Sequence, residues 1–234
     1  MLKEVTYIET LVNHRLAGTG EARVHVIAIR EPIEKWCGLA GCRKDDATTH
    51  NVLDCFYANV EQMAPIFQTL VTTTMFERWS EGVTAAASLL AEHTDDRVLV
   101  LYERSVESNR HVFAHMLWND KRFGTSGTDL EYCVFAHQWR TWQALVGYRM
   151  DGFVYIDATP ELCAERKRER ARTEEDAIPV EYLTRIEEHY ERWLCAEARP
   201  VRRVRMPEHC PMGTSEQRIQ FLTSIADAMI DMLQ

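Results

Sequence analysis

Short apolar runs rich in β-branched and aromatic residues recur along this chain with long helical stretches between them, and that alternation constrains the fold more than any other feature. The runs are VTYI at 5–8, VHVIAI at 24–29, VLVLY at 98–102, FVYI at 153–156 and a weaker one at 201–206. Such residues suit a pleated, half-buried surface. Residues 62–93, 130–148, 160–172, 180–198 and 215–233 read as helices. Strands that alternate with helices predict an α/β fold, a parallel sheet of about five strands wrapped by helices. Near-continuous Val, Ile and Leu content predicts strands covered on both faces. The 234 residues make one domain, 1–234, long enough to bury a core.

Charge and cysteine usage exclude several function classes. A net charge of −9 argues against a broad nucleic-acid footprint or an anionic membrane surface, because both need clustered Lys and Arg in excess. The seven cysteines include no CxxC pair, so neither a disulfide framework nor a cysteine zinc site is expected. They read as mostly buried small apolar groups in a reducing compartment. No apolar run approaches a membrane span, and the N-terminus resembles neither a signal peptide nor a transit peptide. A cytoplasmic location is expected, with a mitochondrial one left open.

In parallel α/β sheets ligands sit beyond the carboxyl ends of the strands. The second run ends in EPIEKW, where Glu31 is either a general base on a substrate hydroxyl or a carboxylate capping the next helix. The third ends in YERSVESNRHVFA, where Arg104 could clamp a phosphate or orient Glu31 and Glu103 could hold magnesium; the plain alternative is a surface ion pair. ERKRERARTEED places Arg166 and Arg170 one helical turn apart inside an acidic protein. They could close over a polyphosphate, or form a solvated face paired with neighbouring glutamates. NVLDCFYANV and MAPIFQTLVTTTM supply Tyr57, Phe67 and Gln68, an amide beside a ring that could read a base edge or simply pack a helix.

In this order the segments resemble the deoxynucleoside kinase family over nearly the whole chain: EPIEKW is similar to its EPVxxW, ERSVESNRHVFA to its ERSxxSxRxxF, and TPELCAERKRERARTEEDAIPVEYL to its arginine-rich lid, here about 166–176. The resemblance implies a P-loop-kinase-like fold and transfer of the γ-phosphate of ATP, with Mg²⁺, to the 5′-hydroxyl of a deoxynucleoside in nucleotide salvage. Glu31 then matches the base on the 5′-hydroxyl, Arg104 the arginine that steadies it, and Glu103 the residue associated with magnesium. Tyr57 and Glu175 match the contacts to the sugar 3′-hydroxyl. Gln68 matches the amide on the base, with Trp36, Leu53, Phe67 and Phe113 around the ring. Arg166, Arg170 and Arg172 match the lid arginines over the donor phosphates. Val71 and Met75 are similar to thymidine-accepting members, whereas Asn109 departs from both family patterns; pyrimidine deoxynucleosides are the favoured substrates. The resemblance also implies a homodimer built on the two long helices near 62–93 and 130–148.

One family element is missing. A strand resembling VTYIE should run into GNIxSGKST and then a helix resembling YLNH, but here Glu9 meets Thr10 directly, about eight residues short. The lost loop would cradle the phosphates with backbone N–H groups and supply a lysine and a magnesium-binding hydroxyl. A strand-to-helix reversal also needs about two to six residues. Three readings stay open: an active kinase read from a gene whose loop codons are missing here, a pseudokinase that binds nucleosides or pairs with an active relative, and a nucleoside monophosphate kinase.

Overall fold

The computed structural model describes residues 5–16, 22–41, 47–171, 178–207 and 215–233. It is a mixed α/β structure that begins with helix α1 (Val5–Leu16), strand β1 (Val24–Ile29) and the short helix α2 (Ile33–Cys37). A two-residue hairpin, β2 (Leu39–Ala40) and β3 (Thr49–His50), precedes α3 (Val52–Ala58) and the 33-residue α4 (Val60–Glu92). β4 (Arg97–Tyr102) leads through α5 (Val106–Ser108) and a π-helical segment, Asn109–Ala114, into α6 (His115–Asn119). α7 (Leu130–Val146), β5 (Phe153–Asp157), α8 (Pro160–Arg170), α9 (Val180–Ala196), β6 (Val201–Arg205) and α10 (Ser215–Leu233) complete the described chain.

The first predicted strand is wrong. Residues 5–8 are the opening turn of α1, which continues unbroken through the Glu9–Thr10 joint. Without loop residues the chain cannot reverse there, so strand and helix sequences merge into one helix with a usable apolar stripe. Ile8 and Val12 are fully buried and Leu16 nearly so, an i, i+4, i+8 row. That row packs with Val24 and Val26 of β1 and with Leu222, Ile225 and Met229 of α10. Polar side chains of α1 cover the open edge of β1: the Asn13 amide accepts from Val24 N at 2.9 Å and donates to Val24 O at 2.7 Å, and Glu9 accepts from Val26 N at 3.4 Å. Each bond satisfies a backbone group that an edge strand otherwise exposes.

The sheet is accordingly divided. β1 pairs in parallel with β4, Val24 opposite Arg97 through Ile29 opposite Tyr102, and β5 pairs in parallel with β6. The two pairs do not join, and β2 with β3 forms a separate antiparallel ladder. Every residue of β4 and β5 is only partly buried, so the expectation of strands covered on both faces fails as well. Among the described residues no further strand is bonded to β4 or β5, so each keeps an unpaired edge there.

Two apolar clusters hold the elements together. One is the α1, α10 and strand cluster already described; the other joins α2, α3, α4, α5, the π-helical segment and α7 through Trp36, Phe56, Phe67, Phe76, Val106 and Phe135. Gly82 lets α4 lie against β4, because a Cβ there would sit 2.3 Å from the Tyr102 hydroxyl and 2.9 Å from Val100 Cγ1. Against the expectation of mostly buried cysteines, none of the described cysteines is buried, and Cys55, Cys133 and Cys195 occupy exposed helix positions.

Three histidines gather where the π-helical segment and α6 meet α9. His111 stacks on Trp193 with centroids 5.8 Å apart, and His115 meets His189 edge-on at 5.6 Å. Burial lowers all three pKa values; for His111, burial and then the Arg110 charge bring it to about 4. Between pH 6.5 and about 4 the unfolded chain binds protons that the folded chain refuses, so stability falls as pH drops through that window. Urea unfolding at pH 7 and pH 5 tests this: a lower midpoint at pH 5 is expected, and His111→Gln flattens the difference. An unchanged midpoint in the parent chain counts against it.

Candidate active site

Glu31 lies two residues past the end of β1, and Pro32 stands at the N-cap position of α2. Its side chain does not cap α2. It accepts a hydrogen bond from Arg104 Nη1 instead, which brings the mouths of β1 and β4 together. The ladder runs one bond past the strands, Glu103 N donating to Ile29 O at 2.9 Å. Arg104 then takes a left-handed backbone conformation, φ +62°. That conformation is uncommon for a residue with a side chain and concentrates at functional positions.

The guanidinium of Arg104 lies 4.0 Å from the centre of the Phe113 ring and 5.9 Å from that of Trp36. Burial opposes its charge, but the Glu31 carboxylate, with Tyr190 and Tyr57 adding smaller contributions, outweighs this and raises its pKa. The pair is therefore a charge-assisted contact inside an aromatic collar, with Glu31 only 14% exposed. Glu103 points outward and is exposed. Glu31, Glu103, Arg104 and Met75 border a shallow, open cleft.

The base-reading candidates come from α4 and the π-helical segment. Trp36 donates Nε1–H to Thr74 Oγ1 at 2.9 Å and meets Phe67 edge-on; Phe67 stacks on Phe56, which touches Tyr57. Leu53, Phe67, Val71 and Met75 are all buried in the same cluster. Asn109, fully buried, donates Nδ2–H to Gln68 O at 3.2 Å and to Thr72 Oγ1 at 2.8 Å. Four buried polar atoms, Gln68 Oε1, Asn109 Oδ1, Arg104 Nε and Arg78 Nε, find no hydrogen-bond partner among the described residues. Such orphans are uncommon in folded chains and cost about 1–3 kcal/mol each.

On the lid side, Arg166 and Arg170 occupy the last turns of α8, whose first turn is set by Thr159 accepting from Leu162 N at 3.3 Å and by Pro160. Arg172 and Glu175 lie outside the described residues. Tyr190 of α9 was not read from the sequence, yet burial, with Arg104 opposing, raises its pKa beside the Glu31–Arg104 pair. Tyr182 stands about two turns earlier on the same side of α9 and also feels Arg104. That eight-residue spacing of two tyrosines was the available signal.

A family model for deoxynucleoside kinase matches residues 10–229, starting just after the Glu9–Thr10 joint. This chain belongs to the deoxynucleoside kinase family. Similar proteins include deoxycytidine kinase 1 of Xenopus laevis, 30% identical over 71% of this chain and 63% of that protein. The mitochondrial deoxyguanosine kinase of Xenopus laevis is 27% identical over 70% and 61%, and the human mitochondrial thymidine kinase 2 is 28% identical over 72% and 55%. The chain thus spans less than two thirds of the length of these relatives. Within the matched residues, Glu31 and Arg104 stand together at adjacent strand mouths.

The residues present fit the two expected groups unequally. Magnesium commonly takes one or two protein carboxylates and completes its shell with water and phosphate, and Glu103 offers one such exposed carboxylate. A triphosphate needs converging backbone N–H groups. At the joint these groups are spent inside α1, so the described residues do not form the phosphate cradle, and no transfer step is assigned to them. No helix of the described residues is long and apolar enough to cross a membrane.

Proposed function

We propose that this chain binds a deoxynucleoside at a kinase acceptor site, the 5′-hydroxyl directed at Glu31 and the base edge at Gln68 and Asn109. The observation that carries this is the set of three orphaned buried polar atoms, Gln68 Oε1, Asn109 Oδ1 and Arg104 Nε, in the residues that line the family's acceptor pocket. Since the Asn109 amide spends its N–H groups on α4, its free oxygen and that of Gln68 are both acceptors, which suits a base edge carrying a donor. The apolar Val71 and Met75 favour a pyrimidine. Tyr57, with Glu175 beyond the described residues, is assigned to the sugar, and Trp36, Leu53, Phe67 and Phe113 to the ring faces.

In the chain as it stands, this is an acceptor site without a donor site, the pseudokinase reading. The intact Glu31–Arg104 pair and the arginines of α8 favour a second reading: the same pocket serves a kinase that transfers the γ-phosphate of ATP, with Mg²⁺ at Glu103 and Arg166, Arg170 and Arg172 over the phosphates, once a phosphate loop is supplied. A nucleoside monophosphate kinase is disfavoured because Glu31 and Arg104 bond each other at the acceptor position. A homodimer through α4 and α7 is also proposed, since Ile66, Val134 and Leu145 are 56%, 49% and 78% exposed on those helices.

Calorimetry of the four deoxynucleosides on the full chain tests the first reading. A pyrimidine deoxynucleoside is expected to bind, and Asn109→Leu to weaken it about 10- to 100-fold by removing one base contact. Sedimentation of the same sample is expected to give twice the 27.2 kDa chain mass. Absence of binding by any deoxynucleoside would sink the proposal, and tight magnesium-ATP binding would replace it by the second reading.

A further inference from the structure

Far from the acceptor site, at the opposite ends of β1 and β4 from Glu31 and Glu103, a second polar cluster has no part in the chemistry described so far. His25 opens β1, His93 caps the C-terminal end of α4, and Asp96 closes the turn that leads into β4, its N–H donating to His93 O at 3.1 Å. The metal-ligating atoms of these three side chains all lie within 4.8 Å of one another. Among the described residues no other group of three or more His, Cys, Asp or Glu side chains converges in this way.

We propose that His25, His93 and Asp96 bind a divalent transition-metal ion of the zinc type. Asp96 Oδ2 is 2.8 Å from His25 Nε2 and 4.0 Å from His93 Nδ1. Four ligands held at about 2.0–2.1 Å in a tetrahedron lie roughly 3.3 Å apart, so one contact opens slightly and the other closes slightly around an ion. The two imidazoles already lie near parallel, centroids 5.1 Å apart and planes 30° from each other, with their edges toward the same carboxylate. Two imidazoles and one carboxylate suit zinc and its neighbours rather than magnesium or calcium, which prefer oxygen ligands.

The surroundings complete the pattern of a ligand histidine. His25 turns Nε2 toward Asp96 and Nδ1 toward Glu9, whose Oε1 is 4.0 Å away. A metal-bound imidazole ordinarily directs its second nitrogen at a carboxylate, which fixes the tautomer and the ring. Glu9 is itself held by Val26 N at 3.4 Å and Arg23 at 3.7 Å. Three protein ligands leave the fourth position to water. The ion would clip the end of α4 to the starts of β1 and β4, and α4 carries Gln68, Val71 and Met75 farther along its length. Its effect is therefore on stability, with the nucleoside pocket untouched.

The test uses the full chain, stripped with a chelator and dialysed, then titrated with zinc by calorimetry and with cobalt(II) by visible absorbance. One zinc per chain, a raised Tm in zinc relative to chelator, and the visible bands of tetrahedral cobalt are expected. His93→Ala, at an exposed position, and the isosteric Asp96→Asn are each expected to weaken zinc binding at least about tenfold and abolish the Tm rise. Nucleoside affinity stays at the parent value in both, which separates failure here from failure of the acceptor-site reading. Absence of saturable zinc binding overturns the proposal, as does parent-like binding in both variants. A near-ultraviolet thiolate-to-cobalt band would do the same by placing the metal on cysteines.

Discussion

Inserting a glycine-rich phosphate loop that ends in Gly-Lys-Ser between Glu9 and Thr10 is expected to confer magnesium-ATP binding and raise deoxynucleoside phosphorylation at least about 100-fold, the scale of removing even one well-placed donor to a reacting anion. Residues 5–9 are helical because the chain has no residues in which to turn. With the loop supplied, VTYIE regains its preference for extended structure, and Val12 and Leu16 still seat the following helix in its apolar cluster. A strand there has unpaired edges on β4 and β5 available to it, so one continuous parallel sheet is expected to replace the two pairs. Hydrogen exchange reports this directly: the amides of β4 and β5 become more protected. In the loop-bearing chain, Glu31→Gln is expected to cost about 10²- to 10⁴-fold in kcat by removing the base from the 5′-hydroxyl. If the loop-bearing chain binds ATP yet turns over no deoxynucleoside, the kinase reading of the Glu31–Arg104 pair fails.

Arg199→Ala is expected to destabilise the fold by about 3–5 kcal/mol, the usual cost of stranding a buried charge. Glu107, only 2% exposed, follows Arg104 by three residues in α5. It accepts a hydrogen bond from the Tyr148 hydroxyl and one from Arg199 Nη1, the latter at 2.7 Å. Arg199 also grips Glu197 through Nε and Nη2, both at 2.8 Å, and its cation holds the Glu197 carboxyl down at about 2. Without Arg199 the Glu107 carboxylate keeps one partner and loses its counter-charge, whereas Glu197 can turn to water. The Arg199→Ala, Glu107→Gln double variant should recover at least about 1 kcal/mol of the loss, since the stranded charge is gone. A urea-derived loss under 1 kcal/mol for the single variant would show that water reaches Glu107 and that the network is dispensable.

The Glu31–Arg104 pair was legible because both residues sit next to strand ends in short continuous motifs. EPIEKW and ERSVESNRHVFA placed Glu31, Trp36, Glu103, Arg104, Asn109 and Phe113 before any coordinates, and the Glu31–Arg104 bond followed from two strands pairing in register. Neither Tyr190 beside the Glu31–Arg104 pair nor Arg199 on Glu107 was legible, because each contact forms only when distant segments pack together. The same distance hid the His25–Asp96 contact, which spans 71 positions. Exposed cysteines escaped the composition argument for another reason: composition says how much apolar surface exists, not which helix face carries it.

The sequence by itself determined the family and, after residue 24, the four longer strands and the long helices between them, since these depend on local pattern and adjacent motifs. Tertiary structure decided the state of residues 5–16. VTYI has strand propensity, but with no loop to reverse the chain, burial of Ile8, Val12 and Leu16 against β1 and α10 outweighs that preference. The result is one helix along the edge of β1 and two strand pairs where one sheet was expected.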